Sequence, residues 1–470
     1  MGFAGNASKA GHRLQRFFST VFVICVICGC CLGQTTNRKQ LAAEVKAEFL
    51  HAWNGYKKYA WGHDDLKPLS KTHHDWYGQP LLMTPVDALD TMILMGLDDE
   101  AEKTKKLILE NLSFDKDIEV QNFEITIRLL GGLLTNYQLT NDKRFLTLAE
   151  DLGNRLLPAF NSPTGMPYRY VNLKTGKTSK PISNPAETGT LLIEFGTLSK
   201  FTGKPIFYDK AKRALVETFN RRSRIGLVGE WINVETGEWT NTDSHISGAI
   251  DSYYEYLLKC WLLFGDRDCK RMWDQSIVAI NKYLAEEVTR TDLPAGPATL
   301  LWYGHVDMNT GARRASTFGA LDAFFPAVLA LSGDLRRAAR LQLSAYTMWD
   351  EAVIEPEEFD YRARKITSPG YPLRPEIVES TYYLYKLTDD PSTYLYIGEK
   401  LWKDFVQHCR TDDAYAALKS VITKEKSDSM QSFLFAETFK YFYLLFAPSE
   451  TLDFRKVIFN TEAHPIRKFK

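Results

Sequence analysis

The chain has 470 residues, enough to bury a large core, and its 58 basic and 58 acidic side chains cancel to a formal net charge of zero. That balance excludes the basic excess of a nucleic-acid binder and the acidic block of a solvated tail. Hydrophobic residues make up 44% and charged residues 25%, ordinary for a globular enzyme; the aromatic share, 13%, is high, and reads first as core filling and second as surface for sugar rings.

The first segment stands apart from the fold. Lys9, Arg13 and Arg16 precede an apolar run from Phe17 to Leu32, then small residues up to Gly33. This is the order of an export signal, so residues 1–34 are read as a signal peptide or a membrane or lipid anchor. Ile27-Cys28-Gly29-Cys30 is a loose lipobox that would leave Cys30 lipidated; the run is short for a membrane span, and an uncleaved anchor stays open. The protein is therefore expected to be exported, either periplasmic or extracellular, or lumenal in a secretory pathway, with membrane contact only through this leader. Its sequons, Asn6 and Asn111, are few, which favours a bacterial envelope. Four of the seven cysteines lie in the leader; Cys260, Cys269 and Cys409 allow at most one bridge, and no cysteine–histidine cluster suggests zinc.

From Asn37 onward two kinds of helix alternate. Amphipathic segments run from Ala42 to Trp53, Ala101 to Leu109, Phe145 to Leu157, Ala211 to Phe219, Met272 to Leu284, Leu335 to Met348 and Tyr394 to Val406. Between them lie segments apolar nearly all round: Ala88 to Met95, Ile125 to Leu134, Thr190 to Leu198, Tyr253 to Leu263, Leu321 to Leu331, Val378 to Leu387 and Leu434 to Phe446. Helices apolar on every face are buried, and amphipathic ones sit outside them. Each inner helix carries an acid near its N-terminal end: Asp90, Glu124, Glu187, Asp251, Asp322, Glu376 and Glu437. The acids recur at roughly sixty residues after a shorter first step, the period of a helical hairpin. The fold class is thus all-α: a single (α/α)7 barrel over residues 35–470, with β-hairpin loops on one face, expected at 159–186 and 226–247. Nothing suggests an oligomer, and a monomer is expected.

Seven acids on apolar helices need a reason. An acid in a first helical turn suits the helix dipole wherever it sits, but burial without a partner is costly, and the recurrence points to a shared site. Glu124 and Arg128 are four residues apart, as are Asp251 and Glu255, and Phe433 and Glu437; Arg374, Glu376 and Glu379 flank Pro375. Paired carboxyls on different helices, beside aromatic faces, are what glycoside hydrolysis requires, and a wide barrel provides the separation that admits water in the inverting form.

At this point the motifs carry a resemblance. His63-Asp64-Asp65-Leu66-Lys67-Pro68, Asp87-Ala88-Leu89-Asp90-Thr91, Phe123 to Leu134, Gly248 to Lys259, Leu373 to Ser380, Phe433 to Phe446 and Phe459-Asn460-Thr461-Glu462-Ala463-His464-Pro465 stand in order along the chain. Together they resemble glycoside hydrolase family 47, the class I α-1,2-mannosidases and their relatives acting on misfolded glycoproteins. The resemblance implies an exo-acting, inverting, calcium-dependent α-mannosidase that removes terminal α-1,2-linked mannose from oligosaccharide or glycoprotein glycans. It implies Glu124 as the acid, acting through a water, Glu376 as the base, Asp251 as a third catalytic carboxylate, and Thr461 as the Ca2+ ligand. Arg128, Glu187, Arg374, Glu379, Phe433, Glu437 and Glu462 would line the sugar subsite or the water shell of the metal.

Two departures stand out. Many family members place a histidine and a cysteine before the Phe-x-Pro turn; Phe318-Gly319-Ala320-Leu321-Asp322-Ala323-Phe324-Phe325-Pro326 has neither, which resembles the glycoprotein-degradation and bacterial branches. Ala249 stands where the endoplasmic-reticulum enzymes place an arginine, implying a roomier subsite beyond the cleaved bond. The alternatives are a non-catalytic mannose-binding protein of the same fold, a mannosidase of other linkage, or another α/α barrel such as a glucan hydrolase, lyase or epimerase.

Overall fold

The computed structural model describes residues 37–292 and 296–469, and the expected leader lies outside them. In chain order the helices are α1 (Arg38–Tyr59), α2 (Met83–Met95), α3 (Asp98–Asn111), α4 (Asn122–Ile125, a π-helical turn Thr126–Leu130, then Gly131–Thr140), α5 (Lys143–Leu156), α6 (Pro185–Gly189), α7 (Leu192–Thr202) and α8 (Pro205–Asn220). They continue with α9 (Asp251–Phe264), α10 (Arg267–Tyr283), α11 (Phe325–Leu331, after a 3-10 turn Leu321–Phe324), α12 (Leu335–Ala352), α13 (Glu376–Leu387), α14 (Pro391–Cys409) and α15 (a π-helical turn Leu434–Thr438, then Phe439–Phe446).

Taking α6 and α7 as one interrupted helix, inner and outer helices alternate seven times. The inner set, α2, α4, α6/α7, α9, α11, α13 and α15, packs neighbour to neighbour, and α15 returns to α2 to close the ring. Burial follows the sequence pattern. Outer α5 buries only Phe145, Ala149, Leu152, Gly153 and Leu156, one helical face, whereas inner α9 is buried without a break from Ser252 to Cys260. Gly153 permits close contact of the rings, since a Cβ there would lie 2.4 Å from Leu198 on α7.

Inner helices hand over to outer ones in tight turns. Gly265 (φ +70°) ends α9 in the left-handed conformation and Asp266 caps α10 by accepting from the Asp268 and Cys269 amides. Asn141 (φ +60°) and Asp142 do the same between α4 and α5. Cys260 and Cys269 bridge α9 to α10, and Cys409 is free and buried, within the single bridge the sequence allowed.

The return connections, from outer to inner helix, are long and carry most of the described strands, so the hairpins share the barrel end where the inner helices begin. They form antiparallel three-stranded sheets that stitch each connection to the next. β3 (Glu119–Gln121) pairs with β4 (Tyr170–Asn172) and β4 with β5 (Thr178–Ser179); β6 (Ile182–Ser183) pairs with β7 (Trp231–Asn233) and β7 with β8 (Trp239–Asn241). These are the two expected hairpin regions. Among the sheets that were not expected, two are three-stranded: β9 (Asp243–Ser244), β12 (His305–Asp307) and β13 (Arg313–Ala315) form one, and β14 (Thr317–Phe318), β15 (Glu358–Asp360) and β16 (Lys365–Ser368) another. Strands of two to four residues are too short to show a period-2 pattern.

The C-terminal hairpin, β17 (Val457–Phe459) and β18 (Pro465–Arg467), is part of the interior: Ile458 and Ile466 pack with Ile193, Tyr256 and Leu263 of α7 and α9. Among the described residues no helix is long and apolar enough to cross a membrane.

Candidate active site

A cavity of about 370 Å³ opens where the inner helices begin, and it is lined by every site residue the sequence singled out. α4 supplies Glu124 and Arg128, α6 Glu187, α9 Asp251, and α13 Glu376 and Glu379 with Arg374 just before it. Phe433 and Glu437 come from the start of α15, and Thr461 and Glu462 from the turn between β17 and β18. Both π-helical turns fall on helices that carry site residues, a common mark of function. Three of the ten non-glycine residues with left-handed backbone among the described residues lie here: Ala249 (φ +73°), Leu373 (φ +71°) and Ala463 (φ +57°), beside Asp251, Arg374 and Glu462.

Two arginines organise the acids. Arg128 is buried; its Nε donates to Glu124 at 2.9 Å, its Nη1 reaches Glu462, and Asp87 lies 3.8 Å away. Arg374 is held in a bidentate grip by Glu357, at 2.9 and 3.0 Å, with Glu376 3.9 Å away. The Phe433 ring sits 5.7 Å from the Arg128 guanidinium and 5.9 Å from that of Arg374, an aromatic face fixed between two cations. Glu187 is held by three side-chain donors, accepting from Gln121 (2.8 Å), Arg169 (2.7 Å) and Ser183 (3.0 Å), while Asn184 caps its helix.

Eight carboxylates line the cavity, including Glu255, against two arginines. The imbalance shows in their ionisation. Burial pushes Asp251 up to about 7, with Glu255 adding to it. Burial pushes Glu376 up to about 7, although Arg374 opposes the shift. Glu379 is raised to about 8 by burial against the pull of Lys259. Glu437 and Glu462 are raised further, by burial and then, for Glu437, by Glu462, Glu376 and Glu379. The Oε2 atom of Glu376 is buried without a protein partner.

Two of the seven marker acids are not part of this cavity. α2 begins at Met83, so Asp90 lies two turns into it; there it accepts from Lys440 and His464, both at 2.9 Å and fully buried. His464, pushed up to about 9 chiefly by Asp90 against its burial, also reaches Asp87 at 3.3 Å. Asp322 lies in the 3-10 turn before α11 and faces a neighbouring chamber. Conversely, the sequence offered no signal for Glu357, Trp231, Asn184 or Gln121. Each reaches the site from the rim, where folding alone brings it near.

The turn bearing Thr461 rests on a buried polar plinth. Asn460 donates to Ile127 O and to Glu194, both at 2.8 Å, and accepts from the amides of Glu462 (3.1 Å) and His464 (2.8 Å). Tyr256 accepts from the Thr461 amide at 3.2 Å and donates to Glu194 at 2.6 Å.

The comparison with known proteins agrees with this geometry. The model of glycosyl hydrolase family 47 matches residues 48–468. The chain belongs to that family. It is a glycosidase of the α-mannosidase type, and its barrel is an (α/α)7 barrel. It is 36% identical over 460 residues to alpha-mannosidase I MNS5 of Arabidopsis thaliana, covering 92% of this chain and 78% of that protein. It is 36% identical over 471 residues to the human ER degradation-enhancing alpha-mannosidase-like protein 2, covering 92% and 78%. The solved alpha-1,2-mannosidase from Trichoderma reesei superposes with a TM-score of 0.83 at 28% identity, over 92% of this chain and 99% of that one. The family resemblance read from the motifs therefore holds, and the relatives include ER degradation-enhancing proteins.

Proposed function

We propose that this family 47 glycosidase removes terminal α-1,2-linked mannose from mannose-rich oligosaccharide or glycoprotein glycans with inversion, in an exported compartment. The observation that carries the reading is the convergence of Glu124, Asp251 and Glu376, from three different inner helices, on one cavity. Carboxyls near 7 exchange protons efficiently at neutral pH. Glu376, with an unpartnered oxygen at the wall, activates the attacking water. Glu124, oriented by Arg128, delivers a proton to the leaving oxygen through a water. Asp251 is the third carboxyl of the set. Phe433 offers its face to the ring, fixed by the two arginines.

The residues fit calcium. The donors lining the cavity are oxygens, there is no cysteine or histidine among them, and the excess of carboxylates calls for a cation. Thr461 would hold the ion through its hydroxyl and carbonyl oxygens, with Glu437, Glu462, Glu187 and Glu379 around its waters. Bound there, calcium would grip two adjacent mannose hydroxyls and favour a distorted ring. A non-catalytic binder is the weaker reading, because it would not need three catalytic carboxyls in place.

The test is hydrolysis of α-1,2-mannobiose by residues 35–470, with calcium and with chelator, followed by proton NMR of fresh product. Release of β-mannose that stops on chelation is the expected result. Initial release of α-mannose would refute inversion, and full activity in chelator would refute the metal.

A further inference from the structure

A second chamber of about 180 Å³ adjoins the cavity, meeting it at Gly248 and Leu321. It lies under the two rim sheets that the sequence did not announce. Its wall holds His305 from β12, and His245, which follows β9 directly. Their rings stack with centroids 4.2 Å apart. Asp243 accepts from His305 Nδ1 at 2.7 Å, so the other ring nitrogen is left as a hydrogen-bonding group. His245 is buried and accepts the Ser247 amide at Nδ1, at 3.2 Å; burial and then His305 hold it down to about 3, so it is a neutral ring with a proton on its far nitrogen. Asp322 is 2% exposed; its Oδ2 accepts the Gly319 amide at 2.8 Å, and its Oδ1 makes no hydrogen bond of sound geometry, although Ser247 and the His305 ring lie close enough to favour its charge. An unpaired carboxylate oxygen buried in a chamber wall is costly unless a ligand satisfies it.

Donors and acceptors alternate here beside the apolar Phe318 and Leu321. That mixture suits the hydroxyls and carbon face of a neutral sugar. It suits a metal poorly: the three groups Asp243, His245 and His305 are close, but Nδ1 of each ring is already engaged and His245 carries its proton on the nitrogen that would ligate. The chamber is also wired to the reaction site, because Glu357 lines it while clamping Arg374. A cavity of about 370 Å³ is near the lower end of the range for drug-sized ligands, room for a disaccharide. Gly248 keeps the passage, since a Cβ there would lie 2.8 Å from Leu321.

We propose that this chamber is a subsite for the third sugar of the glycan, beyond the two that share the cleaved bond, and that His305, Asp322 and Glu358 recognise its hydroxyls. The inference rests on the mannosidase reading. The experiment compares kcat/KM for α-1,2-mannotriose and α-1,2-mannobiose in the wild-type enzyme, His305→Ala and Glu358→Gln, each checked for an unchanged melting temperature. Wild type is expected to prefer the trisaccharide about tenfold, the worth of one or two hydrogen bonds. Each variant is expected to lose most of that preference while cleaving mannobiose within about twofold of wild type. Equal kcat/KM for the two substrates in wild type, or equal losses on both in the variants, overturns the subsite. So does a melting temperature raised by Zn2+ in wild type and not in His305→Ala, which would make the chamber a metal site. Failure of wild type to cleave mannobiose overturns instead the reading on which the subsite rests.

Discussion

Removing the cation should make the protein's stability depend on pH in a way that restoring it abolishes. Asp251 and Glu376 are each raised to about 7, roughly three units above an unfolded carboxyl. A group raised in the folded state binds more protons there, so it stabilises at low pH and loses that stabilisation as pH rises from about 4 to about 7. At about 1.4 kcal/mol per unit, each would cost about 4 kcal/mol at pH 8; mutual coupling and water in an open cavity reduce the pair to about 3 kcal/mol. For a barrel of this size that is roughly 3 °C in melting temperature. Asp64, Glu194 and Asp322 are raised by burial as well, and His464 loses its stabilising charge above neutral pH, while His245, held low, acts in the opposite direction below about 6.5; these groups tilt both curves alike, with or without the cation. The diagnostic is therefore a difference. Melting is followed by circular dichroism from pH 5 to 8 in chelator and in excess calcium. The gap between the two curves should widen by about 3 °C toward pH 8, because calcium offsets the charge only once the carboxylates ionise. Parallel curves would show that no cation sits among these acids.

Glu376→Gln should lower kcat by about 10²- to 10⁴-fold with calcium still raising the melting temperature, measured on mannobiose; a loss under fivefold would remove Glu376 as the base. Arg128→Met leaves Glu124, Glu462 and Asp87 without their shared cation, and should cost about 3–5 kcal/mol in urea unfolding. Lys440→Met leaves buried Asp90 with His464 as its one remaining cation and should unfold at lower urea, by less than Arg128→Met, although Lys440 lies outside the cavity. The double substitution of Cys260 and Cys269 by serine opens a loop of about ten residues and should cost about 3 kcal/mol, with activity at low temperature retained.

How far the sequence reaches is clearest at particular residues. The alternation of one-faced and all-round apolar helices is a local property, so it announced the two rings, their number and the acids at the inner N-termini. The family resemblance then picked out eleven residues, and all eleven line one cavity.

Other features belong to the tertiary structure. Asp90 has the same spacing as Glu124 or Glu376, yet it faces Lys440 and His464 rather than the cavity, because where α2 begins decides the depth of its acid. Glu357 grips Arg374 across a rim hairpin, and nothing in Glu355-Pro356-Glu357-Glu358 marks which acid will do so. The π-helical turns, the raised ionisation of the site acids and the stacking of His245 on His305 depend on what is packed around each group. Periodicity in a sequence determines which face of an element is apolar, because that is set residue by residue. Which buried acids share a cavity, and which share a lysine, depends on distances between residues hundreds of positions apart, and only the closed ring sets those.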